Sequence, residues 1–201
     1  YPASLAQRRL WFLSQLQGST SAYNVPVGLW LYGQLDVAAL QRSLQTIVDR
    51  HEALRTSFVL LKGDLFQVVR NQLIITVPIT DFSHLPEPQN AAYEFATRQV
   101  ETPFDLSAGP LFRADVLRLA AEEHVLLCTM HHTITDAWSM QLFTNEMATL
   151  YEAHLNGTVA AMPELPIQYG DYSAWQIQSL ELQDAQQQLT YWQEQLKDAP
   201  P

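Results

Sequence analysis

Val125-Leu126-Leu127-Cys128-Thr129-Met130-His131-His132-Thr133-Ile134-Thr135-Asp136-Ala137-Trp138-Ser139 is the stretch that decides how this chain folds. Residues 125–130 form an apolar run that reads as a strand, and two adjacent histidines leave it. Four residues after the second histidine stands Asp136, and an amphipathic run follows at once. A strand that turns into a helix is where an α/β fold presents polar side chains to a crevice. Histidine has the ordinary pKa nearest working pH, so His132 is the candidate for taking and giving protons there. Asp136 is the candidate that keeps the loop in shape.

Downstream, residues 138–155 carry Leu142, Phe143, Met147, Leu150 and Tyr151 on a helix that Asn156-Gly157 stops. Pro163-Glu164-Leu165-Pro166 reads as a linker, and helices are expected over 169–177 and 184–197. Upstream, strands are expected over 111–119 and 124–130, joined by a short acidic turn. Pro103 to Pro110 is a loop held by two prolines and a glycine, preceded by a helix over 86–100. Residues 55–61 and 65–69 read as a hairpin turning at Lys62-Gly63-Asp64, with 73–79 as a further strand or a continuation after a break at Asn71. Asp36 can cap a helix that places Leu40, Leu44, Ile47 and Val48 on one face and ends near His51. Residues 25–32 are a β-type run with Pro26 as an edge or entry residue. Ser4-Leu5-Ala6-Gln7 is a capping box opening a helix to about residue 17. The order predicts a mixed α/β sandwich with a largely antiparallel sheet. No Gly-x-Gly-x-x-Gly or phosphate-loop pattern occurs, which argues against a nucleotide fold.

The chain has 201 residues, 47% apolar and 16% charged, which is ordinary for a globular protein with a proper core. Its net charge of −10 argues against a sequence-independent nucleic-acid binder, which needs a basic face. Cys128 is the only cysteine, so no disulfide forms within the chain, and a buried free thiol suits a reducing compartment such as the cytoplasm. No apolar run approaches the roughly 20 residues of a membrane span. The start, Tyr1-Pro2-Ala3-Ser4, has neither an initiator methionine nor a leader pattern, and Ala199-Pro200-Pro201 resembles the start of a linker; the chain reads as excised from something longer.

Three functional readings of His131-His132 with Asp136 compete with a structural one. A proton-carrying His132 braced by Asp136 is the first. A metal site is disfavoured, because adjacent histidines on an extended chain point to opposite sides and no further ligand pair stands nearby. A Ser139-His132-Asp136 triad lacks a nucleophile elbow. Two satisfied histidines at a strand end are the bland alternative. A second cluster, Arg50-His51-Glu52-Ala53-Leu54-Arg55, closes one helix. Either its charges are solvated and favour the helix dipole, or one arginine turns inward to a buried carboxylate, for which Asp136 is the natural candidate. Arg8 and Arg9 sit in a first turn, where the dipole disfavours cations, which hints at a specific partner. Tyr169-Gly170-Asp171-Tyr172-Ser173-Ala174-Trp175 is aromatic and expected to pack in the core.

Together these stretches resemble the condensation domains of nonribosomal peptide synthetases. The family's His-His-x-x-x-Asp-Gly motif stands here as His131 to Ala137. Ser4 to Leu13, Arg50 to Phe58 and Tyr169 to Trp175 resemble its first, second and fourth motifs, and Pro103-Phe104-Asp105-Leu106 and Gly109-Pro110-Leu111 also read as family. The resemblance implies a chloramphenicol acetyltransferase-like α/β fold. Residues 1–201 would be the N-terminal lobe of a two-lobed V-shaped domain, with the linker to a second lobe beginning near 198–201. It implies amide formation between a donor aminoacyl or peptidyl thioester and an acceptor amine. Both would be held on 4'-phosphopantetheine arms of peptidyl carrier domains, with an adenylation domain downstream. No cofactor or metal bound by this domain, no nucleic acid and no membrane are implied. His132 would act on the amine, with His131 more structural; Asp136 would pair with an arginine of the second motif, Arg55 ahead of Arg50. Ala137, Trp138 and Ser139 would line the substrate channel. Ala137 replaces the family's glycine, which points to an altered subtype, a specialised substrate or a tolerated methyl. The heterocyclising subtype, with aspartates for histidines, does not fit, and the opening motif looks more like the peptide-bond formers than the epimerising subtype. A lobe kept only for carrier docking, and a free-standing acyltransferase, are the other expectations.

Overall fold

Alternation of apolar residues builds a four-stranded sheet, and helices cover it on both faces. A computed structural model describes residues 1–18, 20–180 and 183–197. The elements are α1 (Leu5–Gln17), β1 (Asn24–Tyr32), α2 (Val37–Arg50), a 3-10 turn (Glu52–Arg55), β2 (Thr56–Leu61), β3 (Asp64–Val69), β4 (Ile79–Asp81), α3 (Pro88–Glu101), β5 (Phe112–Ala120), β6 (Glu123–His131), α4 (Ala137–Leu155), α5 (Tyr169–Leu180) and α6 (Gln183–Gln195). The sheet order is β1-β6-β5-β4, antiparallel except for the parallel β4–β5 pair, and β2–β3 is a separate hairpin. The expected linker start at 198–201 lies outside the described residues.

The pleat sorts the core. Val27 and Leu29 on β1, Val116 on β5, and Leu126, Cys128 and Met130 on β6 face a cluster supplied by Leu40, Leu44, Ile47 and Val48 of α2 and Phe143, Met147 and Leu150 of α4. On the opposite face Leu117, Leu119 and Val125 meet Ala92 and Phe95 of α3. The Cys128 thiol sits in the first layer, fully buried, and burial pushes its pKa far up, which leaves it an inert core side chain.

Local rules hold where the sequence signals were strong. The Ser4–Gln7 capping box forms in full, and Asp36 caps α2 by accepting from the Ala39 amide. The hairpin turns on Lys62 and Gly63, both at positive φ (54° and 94°), as a two-residue turn of matching twist requires. Pro26 lies opposite Thr129 on the sheet edge. The Tyr23 carbonyl takes the His132 amide, so by alternation the even-numbered residues of β1 turn their backbone groups away from β6. The N–H that Pro26 lacks would point outward, and the ladder loses nothing.

Two expectations are corrected. Residues 73–77 are extended, with Leu73, Ile75 and Val77 buried, but they join no sheet. Two glutamines of α2 take the place of a neighbouring strand. Gln41 donates to the Ile75 carbonyl at 2.6 Å and accepts from the Val77 amide at 3.1 Å. Gln45 donates to the Leu73 carbonyl at 2.9 Å and accepts from the Ile75 amide at 3.1 Å. The aromatic stretch of α5 is not core: Gly170 and Ser173 are its buried residues, while Trp175 is 61% exposed. A Cβ at Gly170 would come within 2.6 Å of the Tyr1 ring, so close approach explains that glycine. Replacing Gln45 with Ala should cost about 1–3 kcal/mol, because it leaves a buried amide without its partner; hydrogen exchange at Ile75 should accelerate, and an unchanged exchange rate there would refute the surrogate-strand role.

Candidate active site

The catalytic-looking loop is fixed at both ends by its neighbours. Its entry is the last rung of the sheet, where His132 N–H donates to the Tyr23 carbonyl at 2.8 Å. Its exit is the cap of α4, where Asp136 accepts from the Ser139 amide at 2.8 Å and the Ser139 hydroxyl at 2.6 Å. The Ser139 hydroxyl, then its amide, hold the Asp136 carboxyl below the ordinary carboxylate range, and His132 adds to this.

The two histidines part company at the strand end. His131 is 2% exposed. Its Nδ1 accepts the Thr133 amide at 3.2 Å and lies 2.9 Å from the Thr133 hydroxyl, so the ring hydrogen belongs on Nε2. Tyr23 and Phe104 meet the ring edge-on, and Arg113 sits 3.8 Å over the Phe104 face. Burial first, and His132 second, push the His131 pKa from 6.5 down to about 4. His131 borders a hollow of about 550 Å³ between α1, β2 and residues 104–107.

His132 is exposed and borders a different hollow, of about 390 Å³, walled by Ala6, Leu10, His51, Leu142 and the segment 165–169. Its Nδ1 lies 2.8 Å from the Thr135 carbonyl oxygen. A carbonyl can only accept, so Nδ1 carries the hydrogen, and the neutral ring keeps its lone pair on Nε2. One imidazole thus spends its Nδ1 lone pair on Thr133, and the other keeps a basic nitrogen at Nε2. The triad arrangement is not formed, because Nδ1 is committed to a backbone carbonyl and the Ser139 hydroxyl to Asp136. Among the described residues no three His, Cys, Asp or Glu side chains gather as a metal ion would require.

Several expected placements are corrected. Asp136 is exposed rather than buried, and it serves as a helix cap rather than as a partner of Arg55. Arg55 instead donates to the Arg70 carbonyl at 2.6 Å and lies 3.6 Å from Glu52. The arginine that turns inward is Arg50, and its carboxylate is Glu146, 8% exposed on α4. Arg50 Nε donates to Glu146 at 3.1 Å, and His51 Nε2 lies 2.6 Å from the other carboxylate oxygen. Arg50 also reaches the Pro163 carbonyl, and Gln168 donates to the Arg50 carbonyl at 3.1 Å. The cluster therefore ties α2, α4 and the segment that walls the His132 hollow. Of the three residues expected along a channel, Ser139 lines that hollow. Ala137 and Trp138 stand outside it on the first turn of α4, with Trp138 80% exposed. Ala137 opens a helix and is not at positive φ, so its methyl costs no backbone strain. Glu146 carries no signal in the sequence, because a single acid on an amphipathic helix has no spacing pattern. The sequence marks Gln7 only as part of a cap; its amide also donates to the Thr133 carbonyl at 3.1 Å.

Two outcomes follow from these contacts. Arg50→Met should destabilise by about 3 kcal/mol by stripping a charge partner from a buried carboxylate, measured by denaturant unfolding, and Arg55→Met by less. His131 is neutral when folded, and its pKa is depressed relative to the unfolded chain, so its contribution to stability is complete above pH 6.5 and is lost as pH falls towards about 4. The slope of melting temperature against pH in that window should flatten in His131→Gln; His124, also depressed by burial, leaves a residual slope.

Comparison with known proteins places the whole chain in one family. The family model described as Condensation domain matches residues 1–201. The chain is 44% identical over 203 residues to a linear gramicidin synthase of Brevibacillus parabrevis, covering 100% of this chain and 3% of that protein. It is 41% identical over 202 residues to chondramide synthase cmdD of Chondromyces crocatus, covering 100% of this chain and 5% of that protein. The starter condensation domain of rhizomide synthetase RzmA aligns with a TM-score of 0.92 at 23% identity, over 100% of this chain and 48% of that one. The first condensation domain of the CDA synthetase aligns with a TM-score of 0.85 at 21% identity, over 100% of this chain and 51% of that one. The chain spans about half the length of these solved chains and a few per cent of the synthetases.

Proposed function

The chain belongs to the condensation-domain family, and from that premise we propose that it is the histidine-bearing lobe of a site that forms an amide bond in nonribosomal peptide synthesis. The carrying observation is the free Nε2 of His132 at the edge of a hollow, with Nδ1–H committed to the Thr135 carbonyl. The donor is an aminoacyl or peptidyl thioester and the acceptor an aminoacyl amine. Both ride on the 4'-phosphopantetheine arms of carrier domains, and this chain holds no cofactor of its own. The acceptor nitrogen attacks the thioester carbonyl, the C–N bond forms, the C–S bond breaks, and the leaving sulfur takes a proton. His132 Nε2 accepts the proton that the amine sheds, or orients the amine by accepting its hydrogen bond. The Thr135 carbonyl steadies the imidazole in either case.

A second lobe would supply the opposite wall, since the solved relatives are about twice as long, with an adenylation domain further along the same polypeptide. Trp138 and Ala137, exposed where α4 begins, would meet that wall and the substrate. A cytoplasmic setting accords with the reduced, buried Cys128; among the described residues no helix is long and apolar enough to cross a membrane.

In the complete domain with both carriers loaded, His132→Ala should lower the rate of amide formation by about 100-fold or more. Unchanged turnover with retained carrier binding would favour a docking lobe over a catalytic one, and activity on a carrier-free amine would favour a free-standing acyltransferase.

A further inference from the structure

Resting on that reading of His132, we propose that Gln7 is a positioning residue for the reaction: its side-chain amide holds the Thr133 carbonyl and thereby the loop that dictates which nitrogen of His132 is free. Gln7 lies in the first turn of α1 and is 2% exposed. Its Oε1 accepts from the Ser4 amide at 2.9 Å, which completes the helix cap. Its Nε2 donates to Gln67 Oε1 at 2.9 Å and to the Thr133 carbonyl at 3.1 Å. Gln67 is itself oriented, because its Nε2 donates to the Pro2 carbonyl at 3.0 Å and so turns its oxygen to Gln7.

The cap alone does not need glutamine. A glutamate at this position caps equally well and suits the positive end of the helix better. Here the far end of the side chain faces two acceptors, and a carboxylate would set lone pair against lone pair at both. Only the amide satisfies cap and loop together. Among the described residues, this is the one hydrogen bond that reaches the backbone of residues 133–135 from another element; the Ile134 amide turns back to the His131 carbonyl, and the Thr135 carbonyl takes the His132 ring.

The test uses the complete condensation domain. Gln7→Glu keeps the acceptor for Ser4 and removes both donors; Gln7→Met removes donors and acceptor without burying a charge. With loaded carriers, kcat should fall about tenfold to a hundredfold, with KM for the acceptor little changed. Nitrogen-15 spectra of the imidazoles should show His132 losing its single Nδ1–H form in both variants. A lowered melting temperature with unchanged kcat and an unchanged His132 spectrum would make Gln7 a stability residue only and overturn the proposal. If His132→Ala leaves amide formation intact, the catalytic reading fails, while the spectrum still decides whether Gln7 sets the tautomer.

Discussion

The hydrogen bond from His132 Nδ1 to the Thr135 carbonyl is the contact that gives the site its chemistry. Without it the ring could turn or change tautomer, and either nitrogen could face the hollow. The bond needs a tight bend between residues 132 and 135. That bend needs the sheet to end at Tyr23–His132 and α4 to start at Asp136. The sheet and the long helix thus define the ends of a loop five residues long, 132–136. Two side-chain clusters hold the elements on either side of that loop. The Arg50–Glu146–His51 cluster does so from the α2 side, and the Ser4–Gln7–Gln67 network does so from the α1 side.

Much of this was legible beforehand because it is local. Caps at Ser4 and Asp36, the turn at Lys62-Gly63 and the periodicities of α2, α4 and the strands depend on residues a few positions apart. The opposite fates of His131 and His132 also follow from side-chain alternation at a strand end. What was not legible depends on pairing across the chain. Residues 73–77 alternate like a strand, and nothing in them says that glutamines from a helix would satisfy their backbone. Sequence points to Asp136 as the charge partner of the second motif because that acid stands beside the histidines, whereas Glu146 lies almost three turns further along α4. A helix cap and an ion pair place the same demand on a carboxylate, and sequence does not tell them apart.

The aromatic residues of α5 stay at the surface for another reason. Tyr169 and Tyr172 have polar tips that bond Ser4 and Gln176, so these rings work at a boundary and not in a core. Ser4 is in the first motif and Tyr169 in the fourth. Motifs far apart in the chain therefore meet physically at the N-terminus of α1, beneath the histidine loop.

Pro26 carries a consequence for how the margin of the sheet behaves towards other chains. The Asn24 amide is spent on the Ser21 carbonyl, and Pro26 has none to offer, so among the described residues the outer rim of β1 keeps unmatched donors at Gly28, Trp30 and Tyr32. A foreign strand laid alongside would find rungs at one end and a gap at the other. Unselective zippering into fibres is discouraged along half of that rim, while a short, well-aimed strand could still be admitted at the aromatic end.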